Sequence, residues 1–313
     1  MTTAPLRLGT RKSPMAMAQA RQVARLITER TQRQVELAGI TTFGDVSRAQ
    51  LAQIGGTGVF VSGLRECLLA GDVDFAVHSL KDLPASPTAG ITLAAVTTRD
   101  DPRDALVARD GAKLADLPPG ARIGTGSPRR AAQLLLLRRD LRPVPVRGNA
   151  GTRLAMVTSG EVDAVVLACA GLARIGLLAA VTQVFEPDEM LPAAGQGALA
   201  VECSAARPDL VSLLACVDDP LSNAATTAER SVLAALQAGC SAPIGAYATG
   251  ADTLRLQAVV AAEVGTALRA SAGGPPAEAV SLGRDVAAEL LRRGAGRFTG
   301  VSGGHISSGD DAI

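Results

Sequence analysis

Two kinds of side chain stand at spacings that can do chemistry. In HSLKD (78–82), Lys81 and Asp82 follow the apolar run DFAV and precede Leu83 and Pro84. That run predicts a buried strand over 74–80, with Ser79, Lys81 and Asp82 at its carboxyl end. Open α/β sheets bind their ligands there. Taken locally, the adjacent Lys81 and Asp82 also fit a simple surface ion pair. The second kind is arginine. Residues 121–153 hold Arg122, Arg129, Arg130, Arg138, Arg139, Arg142, Arg147 and Arg153, with no Lys and with Asp140 as the single acid. A solvated helix face accounts for Arg138, Arg139 and Arg142. The others sit beside turn residues, in GTGSPRR and RGNAGTR. Guanidinium forks at such junctions meet carboxylates or phosphates two-pronged, and helix N-termini add partial positive charge. A small polyanion is the ligand class they fit. With Lys81 and Asp82 they supply acid, base and anion recognition without a metal.

Other chemistries lack their residues. GGTG (55–58) and GTGS (124–127) complete neither GxxxxGK[ST] nor GxGxxG, and GxSxG is absent. The two histidines, His78 and His305, are too few for a His-based metal site. His78 falls within the predicted strand and reads as a core or hydrogen-bonding residue. The five cysteines (67, 169, 203, 216 and 240) form no CxxC pair, which argues against zinc and for free thiols in a reducing compartment. Four lie among aliphatic neighbours and read as buried packing; Cys240, in AGCSAP, fits a buried small residue and an exposed turn thiol equally.

The elements that must position these residues alternate. LRLGT predicts a strand, followed by a helix over 13–30 that Ser13 can cap and Pro14 can start. Further helices are predicted near 59–70, 128–139, 150–160, 222–238 and 277–293. Strands are predicted at 91–96, 105–109, 144–148, 164–171 and 198–203, and in APIGAYA, LRLQAVV and TALRASAG. Alternation with short turns predicts two mostly parallel α/β blocks followed by a small α+β domain. The expected division is 1–98 with 198–217, then 99–197, then 218–300, with a disordered tail over 301–313. The chain crosses between the first two blocks twice.

Composition closes off other classes. The 313 residues are 47% hydrophobic and 19% charged, with 31 basic against 30 acidic side chains. No apolar run reaches the ~18 residues that span a bilayer. The N-terminus, MTTAPLRLGTRKS, has no apolar signal core; a cytoplasmic protein with no membrane partner is expected. With 2% aromatics and a formal charge of +1, a stacking platform or broad basic face for nucleic acid is not expected.

Eight strings occur in order: TRKSPMAMAQ, AVHSLKDLP, DDPRDAL, IGTGSPRRAAQL, VRGNAGTRL, LACAGLARIGL, LPAAGQGALAVEC and GCSAPIGAYA. Together they resemble the porphobilinogen deaminase (hydroxymethylbilane synthase) family over about residues 5–250. The resemblance implies an α/β fold of three domains, two like the lobes of type II periplasmic binding proteins and a small C-terminal α+β domain. It implies a transferase of tetrapyrrole (haem-type) biosynthesis. Four porphobilinogen molecules would be condensed head to tail, four ammonia released, and linear 1-hydroxymethylbilane hydrolysed off. It also implies a covalent dipyrromethane primer on Cys240, whose flanking Gly239 and Pro243 suit an exposed turn. The protein is expected to act as a monomer.

By the same resemblance, the primer would contact Lys81, Asp82, Ser79, Ser127, Arg129, Arg130 and Arg153. Substrate would meet Arg11, Gln19, Phe60, Arg147, Arg153 and Arg174. The substrate explains the arginines, because each porphobilinogen bears an acetate and a propionate and the growing chain accumulates carboxylates. Lys81 and Asp82 are the catalytic candidates. Loss of ammonia leaves an azafulvenium cation, which a fixed Asp82 carboxylate can stabilise while accepting the pyrrole N–H. The sequence departs from the family pattern at Thr57, Ser62 and Gly63 around Phe60, at Ser204, in SNAATT and in QAGC. A second reading, a non-catalytic binder of small dicarboxylates, accounts for the Arg loops but not for GCSAPIG or a third domain.

Overall fold

Ser13 stands just outside the first helix with extended backbone, and its side chain accepts from the Ala16 N–H. Pro14 then opens α1 (Pro14–Thr31), which buries Ala20, Val23, Ala24 and Ile27 on one face. The cap and the spacing act as the sequence predicts. This is a computed structural model, and it describes residues 4–41, 61–239, 242–261 and 265–299.

α1 packs on a five-stranded sheet in the order β2-β1-β3-β10-β4. Its strands are β1 (Leu6–Arg11), β2 (Val35–Ile40), β3 (Phe75–Ser79), β4 (Ile91–Val96) and β10 (Leu199–Ser204). α2 (Ser62–Ala70) leads into β3, and Leu64 and Leu68 seal it against Val73 and Ala76. A second five-stranded sheet has the order β7-β6-β8-β5-β9. It comprises β5 (Asp104–Ala108), β6 (Arg122–Gly124), β7 (Arg142–Val144), β8 (Ala164–Ala168) and β9 (Gln183–Val184), with α3 (Pro128–Leu137), α4 (Ala150–Thr158) and α5 (Cys169–Arg174) between them. After β10 and α6 (Pro208–Leu214), α7 (Pro220–Ala235) and α8 (Ala279–Arg292) pack on an antiparallel sheet of β11 (Ile244–Thr249), β12 (Leu254–Ala261) and β13 (Ala267–Gly274).

Several expectations are corrected. The two large sheets are mixed rather than mostly parallel. β1 pairs parallel with β2 and β3, but β10 runs antiparallel to both β3 and β4. In the second sheet β5 is likewise antiparallel to β8 and β9. In each case a strand arriving from the other sheet enters from the opposite end. The apolar run 164–171 is not one strand: it ends at Ala168, and Cys169 starts α5. Short apolar runs do not distinguish strand from buried helix by periodicity. Among the four described cysteines, Cys169 and Cys203 are buried, but Cys67 and Cys216 are only half-buried. Arg138 is no solvated face residue, since it donates to the carbonyls of Leu114 and Leu117.

Candidate active site

The strand β3 is buried from Phe75 to His78 and opens at Ser79. A single 3-10 turn, Leu80–Asp82, follows at its carboxyl end. Leu80 is the buried anchor of that turn; its N–H donates to the Ala198 carbonyl at 3.0 Å. Asp82 is exposed. Lys81 is half-buried. Its Nζ donates to Gln196 Oε1 at 3.2 Å.

From Gln196 the network enters the second sheet. The Gln196 Nε2 donates to the Pro102 carbonyl at 2.6 Å and to Asp104 Oδ1 at 2.9 Å. Asp104 is wholly buried at the start of β5 and holds two arginines from the first turn of α3. Arg129 reaches Asp104 Oδ2 at 2.7 Å, and Arg130 reaches Oδ1 through Nε at 3.0 Å and a terminal nitrogen at 2.7 Å. Burial alone would raise the Asp104 pKa; the Arg129 and Arg130 charges outweigh it and hold the carboxyl well below its usual range. Both guanidinium groups are buried. Arg129 also donates to the Leu191 carbonyl and Arg130 to that of Val166. Asp104 and Gln196 were missed as site residues in the sequence, although DDPRDAL and AAGQGAL contain them.

The cluster is cationic. Lys81 is pushed down to about 8 by burial first and then by the nearby Arg130 charge, against the pull of Asp82 and Asp104. The Arg153 pKa is lowered by burial and by Arg130. Four cations, Lys81, Arg129, Arg130 and Arg153, therefore share electrostatic reach with two carboxylates, Asp82 and Asp104. Arg129 Nε is buried with no hydrogen-bond partner among the described residues. Ser127 caps α3, its Oγ accepting from the Arg130 N–H at 3.4 Å. A positive cluster with an orphaned guanidinium donor, hydroxyls at its edge and an exposed carboxylate fits a ligand bearing carboxylates and pyrrole N–H groups.

The remaining sequence candidates divide. Gln19 is buried on α1. Arg11 closes β1 half-buried, and Arg147 is exposed before α4. Arg153 donates to the Gly148 carbonyl at 3.0 Å. Arg174 donates to Asp100 Oδ2 at 2.9 Å and to the Gly197 carbonyl at 2.6 Å, at the crossovers. Cys240 and Phe60 lie outside the described residues. His78 is buried, as read from the sequence, with Nε2 at 3.3 Å from Glu202, which Arg65 also grips two-pronged at 2.6 and 3.0 Å. Burial would raise the Glu202 pKa; His78 and Arg65 bring it down to about 2.

The crossovers form a knot around Gln196. Gly195 and Gly197 adopt positive φ (74° and 95°), and a Cβ on Gly197 would lie 2.4 Å from the Asp100 carbonyl oxygen. Gly195 N–H donates to Glu229 Oε2 at 2.7 Å. Arg99 donates to the Gln196 carbonyl at 2.8 Å and forks onto Glu229 at 2.6 and 3.1 Å. Glu229 is wholly buried on α7 and also accepts from the Ala248 N–H. Among the described residues, no group of three or more His, Cys, Asp or Glu side chains could hold a metal ion, and no helix is long and apolar enough to cross a membrane. A cleft of about 590 Å³ beside α8 and β13 is lined by residues including Arg269, Asp285 and Arg292, and shares none with this cluster.

The family model described as "Porphobilinogen deaminase, dipyromethane cofactor binding domain" matches residues 6–212, and "Porphobilinogen deaminase, C-terminal domain" matches residues 224–292. The chain is 60% identical over 306 residues to "Porphobilinogen deaminase" of Thermobifida fusca, covering 94% of this chain and 96% of that protein. It is 54% identical over 315 residues to "Porphobilinogen deaminase 1" of Streptomyces coelicolor, covering 96% and 99%. Among solved structures, a periplasmic substrate-binding protein of an ABC transporter from Coxiella burnetii is 16% identical with a TM-score of 0.43, covering 70% of this chain and 94% of that one. Two adjoining family matches and relatives aligned over almost their whole length leave one assignment: the chain belongs to the porphobilinogen deaminase family.

Proposed function

We propose that this chain joins four porphobilinogen molecules head to tail, releases four ammonia and delivers linear 1-hydroxymethylbilane, using a dipyrromethane held by Cys240 in thioether linkage. The observation that carries the reading is the exposed Asp82 carboxylate set beside the Lys81, Arg129 and Arg130 cations at the carboxyl end of β3. When bound, the dipyrromethane supplies a free pyrrole α-carbon as nucleophile.

The chain's own residues do the rest. Lys81, Arg129, Arg130 and Arg153, with the hydroxyls of Ser79 and Ser127, would hold the carboxylates of the primer. Arg11, Gln19, Phe60, Arg147 and Arg153 would meet incoming porphobilinogen, the arginines taking its carboxylates. Arg174 contributes at one remove, by fixing the crossover at Asp100 and Gly197. Asp82 accepts the pyrrole N–H of the substrate and faces the positive charge that grows as ammonia departs. A carboxylate already in place for that charge needs no reorganisation at the moment of reaction. It also stands ready to take the proton lost when the new carbon–carbon bond forms. The reading places the protein in the cytoplasm as a monomer. It treats 1–98 with 198–217, 99–197 and 218–300 as three domains, hinged near 98 and 197.

Intact-protein mass tests it. The purified protein should exceed its sequence mass by two linked pyrrole units, and Cys240→Ser should remove that increment together with turnover. A sequence mass accompanied by full dicarboxylate binding would support the non-catalytic reading instead.

A further inference from the structure

The turn that carries Lys81 and Asp82 is also held from the third sheet's side. Arg230, half-buried on α7, donates from one terminal nitrogen to the carbonyls of Leu80 at 3.3 Å and Leu83 at 3.0 Å. The other nitrogen donates to the Pro84 carbonyl at 2.6 Å. These carbonyls bracket Asp82 on both sides. They lie about 150 residues from Arg230 in sequence, at separations of 150, 147 and 146, so nothing local requires the contact. A planar fork with several fixed donors can grip three oxygens of one turn; a Lys ammonium offers donors from a single point. The same helix ends at Ala235, five positions before Cys240.

We propose that Arg230 is a positioning residue for Asp82, fixing the carboxylate relative to the element that leads to the attachment cysteine. The inference rests on the roles given above to Asp82 and Cys240. Each condensation needs Asp82, the substrate's departing amine and the acceptor carbon in one geometry. Asp82 belongs to the first sheet's end, whereas the attachment point follows α7. Arg230 ties the turn that carries Asp82 directly to α7. Releasing it frees the turn to shift against α7 without removing any group that touches substrate.

The test compares Arg230→Met and Arg230→Lys with the wild type, each checked by circular dichroism, thermal melting and intact mass. In Arg230→Met the two-ring increment should persist and KM should stay within about threefold. The kcat should fall about 10- to 100-fold, the scale that follows from misplacing a reacting group by roughly an ångström. Arg230→Lys should recover part of the loss. In an Asp82→Glu background, where the carboxylate is already displaced, Arg230→Met should cost clearly less than in the wild type, because groups that act as a unit are non-additive.

Wild-type kcat in a folded Arg230→Met would overturn the proposal, as would a kcat loss that is fully additive with Asp82→Glu. Loss of the mass increment in Arg230→Met would assign Arg230 to primer loading instead. Failure of Arg230→Met to fold, with wild-type kcat in Arg230→Lys, would reduce it to stability. A wild-type protein at bare sequence mass would sink the functional reading itself, independently of these outcomes.

Discussion

Asp82 is the one exposed carboxylate among the described charges that converge at the end of β3, and the role proposed for it rests on its charge rather than its shape. Asp82→Asn keeps the outline and removes the charge that, in the proposed mechanism, would face the developing cation. Its kcat should drop by about 10²–10⁴ with circular dichroism and melting temperature unchanged. Near-normal turnover would remove Asp82 from the role given to it. Lys81 makes a different prediction. Its folded pKa of about 8 lies below the 10.5 of a solvated lysine, so between these values the unfolded chain binds more protons than the folded one. Stability then rises with pH across that window and is lost as pH falls through about 8. The signal belongs to protein without bound carboxylates. Cys240→Ser should gain stability from pH 8 to 10.5 relative to Cys240→Ser with Lys81→Met, as read from urea midpoints. A flat difference between the two would contradict the burial of the ammonium.

The crossovers show what an element can do without contributing a reacting group. Residues 195–197 place Gln196 between the two sheets only because Gly195 and Gly197 adopt left-handed backbone. Gly197→Ala should destabilise by about 1–3 kcal/mol and more than Gly195→Ala does. A Cβ on Gly197 meets fixed backbone at 2.4 Å, whereas one on Gly195 meets the Leu80 side chain at 2.9 Å. Comparison of the two melting temperatures checks the order. This is also where sequence reading reached its end. Ser13 as a cap, a strand ending within one residue of Ser79, and Lys81 and Asp82 just past its carboxyl end were legible, because strand, cap and turn are written in consecutive residues. The Asp104 grip on Arg129 and Arg130 was not, since it joins residues 25 and 26 positions apart. The Lys81–Gln196 bond spans 115 positions. β2 was missed because VELAGI lacks a clean alternation, its burial being partial on both faces.

At the scale of the whole molecule, the site draws on all three sheets: the β3 turn, Asp104 on β5, and Arg230 and Glu229 on α7. The interlobe ties run through few groups. Gln196 links Lys81 to Asp104, and Arg99 links the crossover to Glu229. A lengthening product of carboxylate-bearing rings needs growing room, which the hinges proposed near 98 and 197 would supply by a small motion at these ties. Small-angle scattering of primer-only protein and of chain-extended species should give different radii of gyration. Identical curves would argue for a rigid groove.

The antiparallel return of β10 bears on how a nascent chain matures. All five strands of the second sheet lie between Asp104 and Val184, so that sheet can close as soon as its own segment has been synthesised. The first sheet cannot. β10 lies between β3 and β4, and until it is made β4 has no strand on either side. The half of the molecule translated first is thus the one completed later, holding an open slot while its neighbour folds. Such unpaired edges invite aggregation, and the slot is filled by the strand that directly follows Gln196.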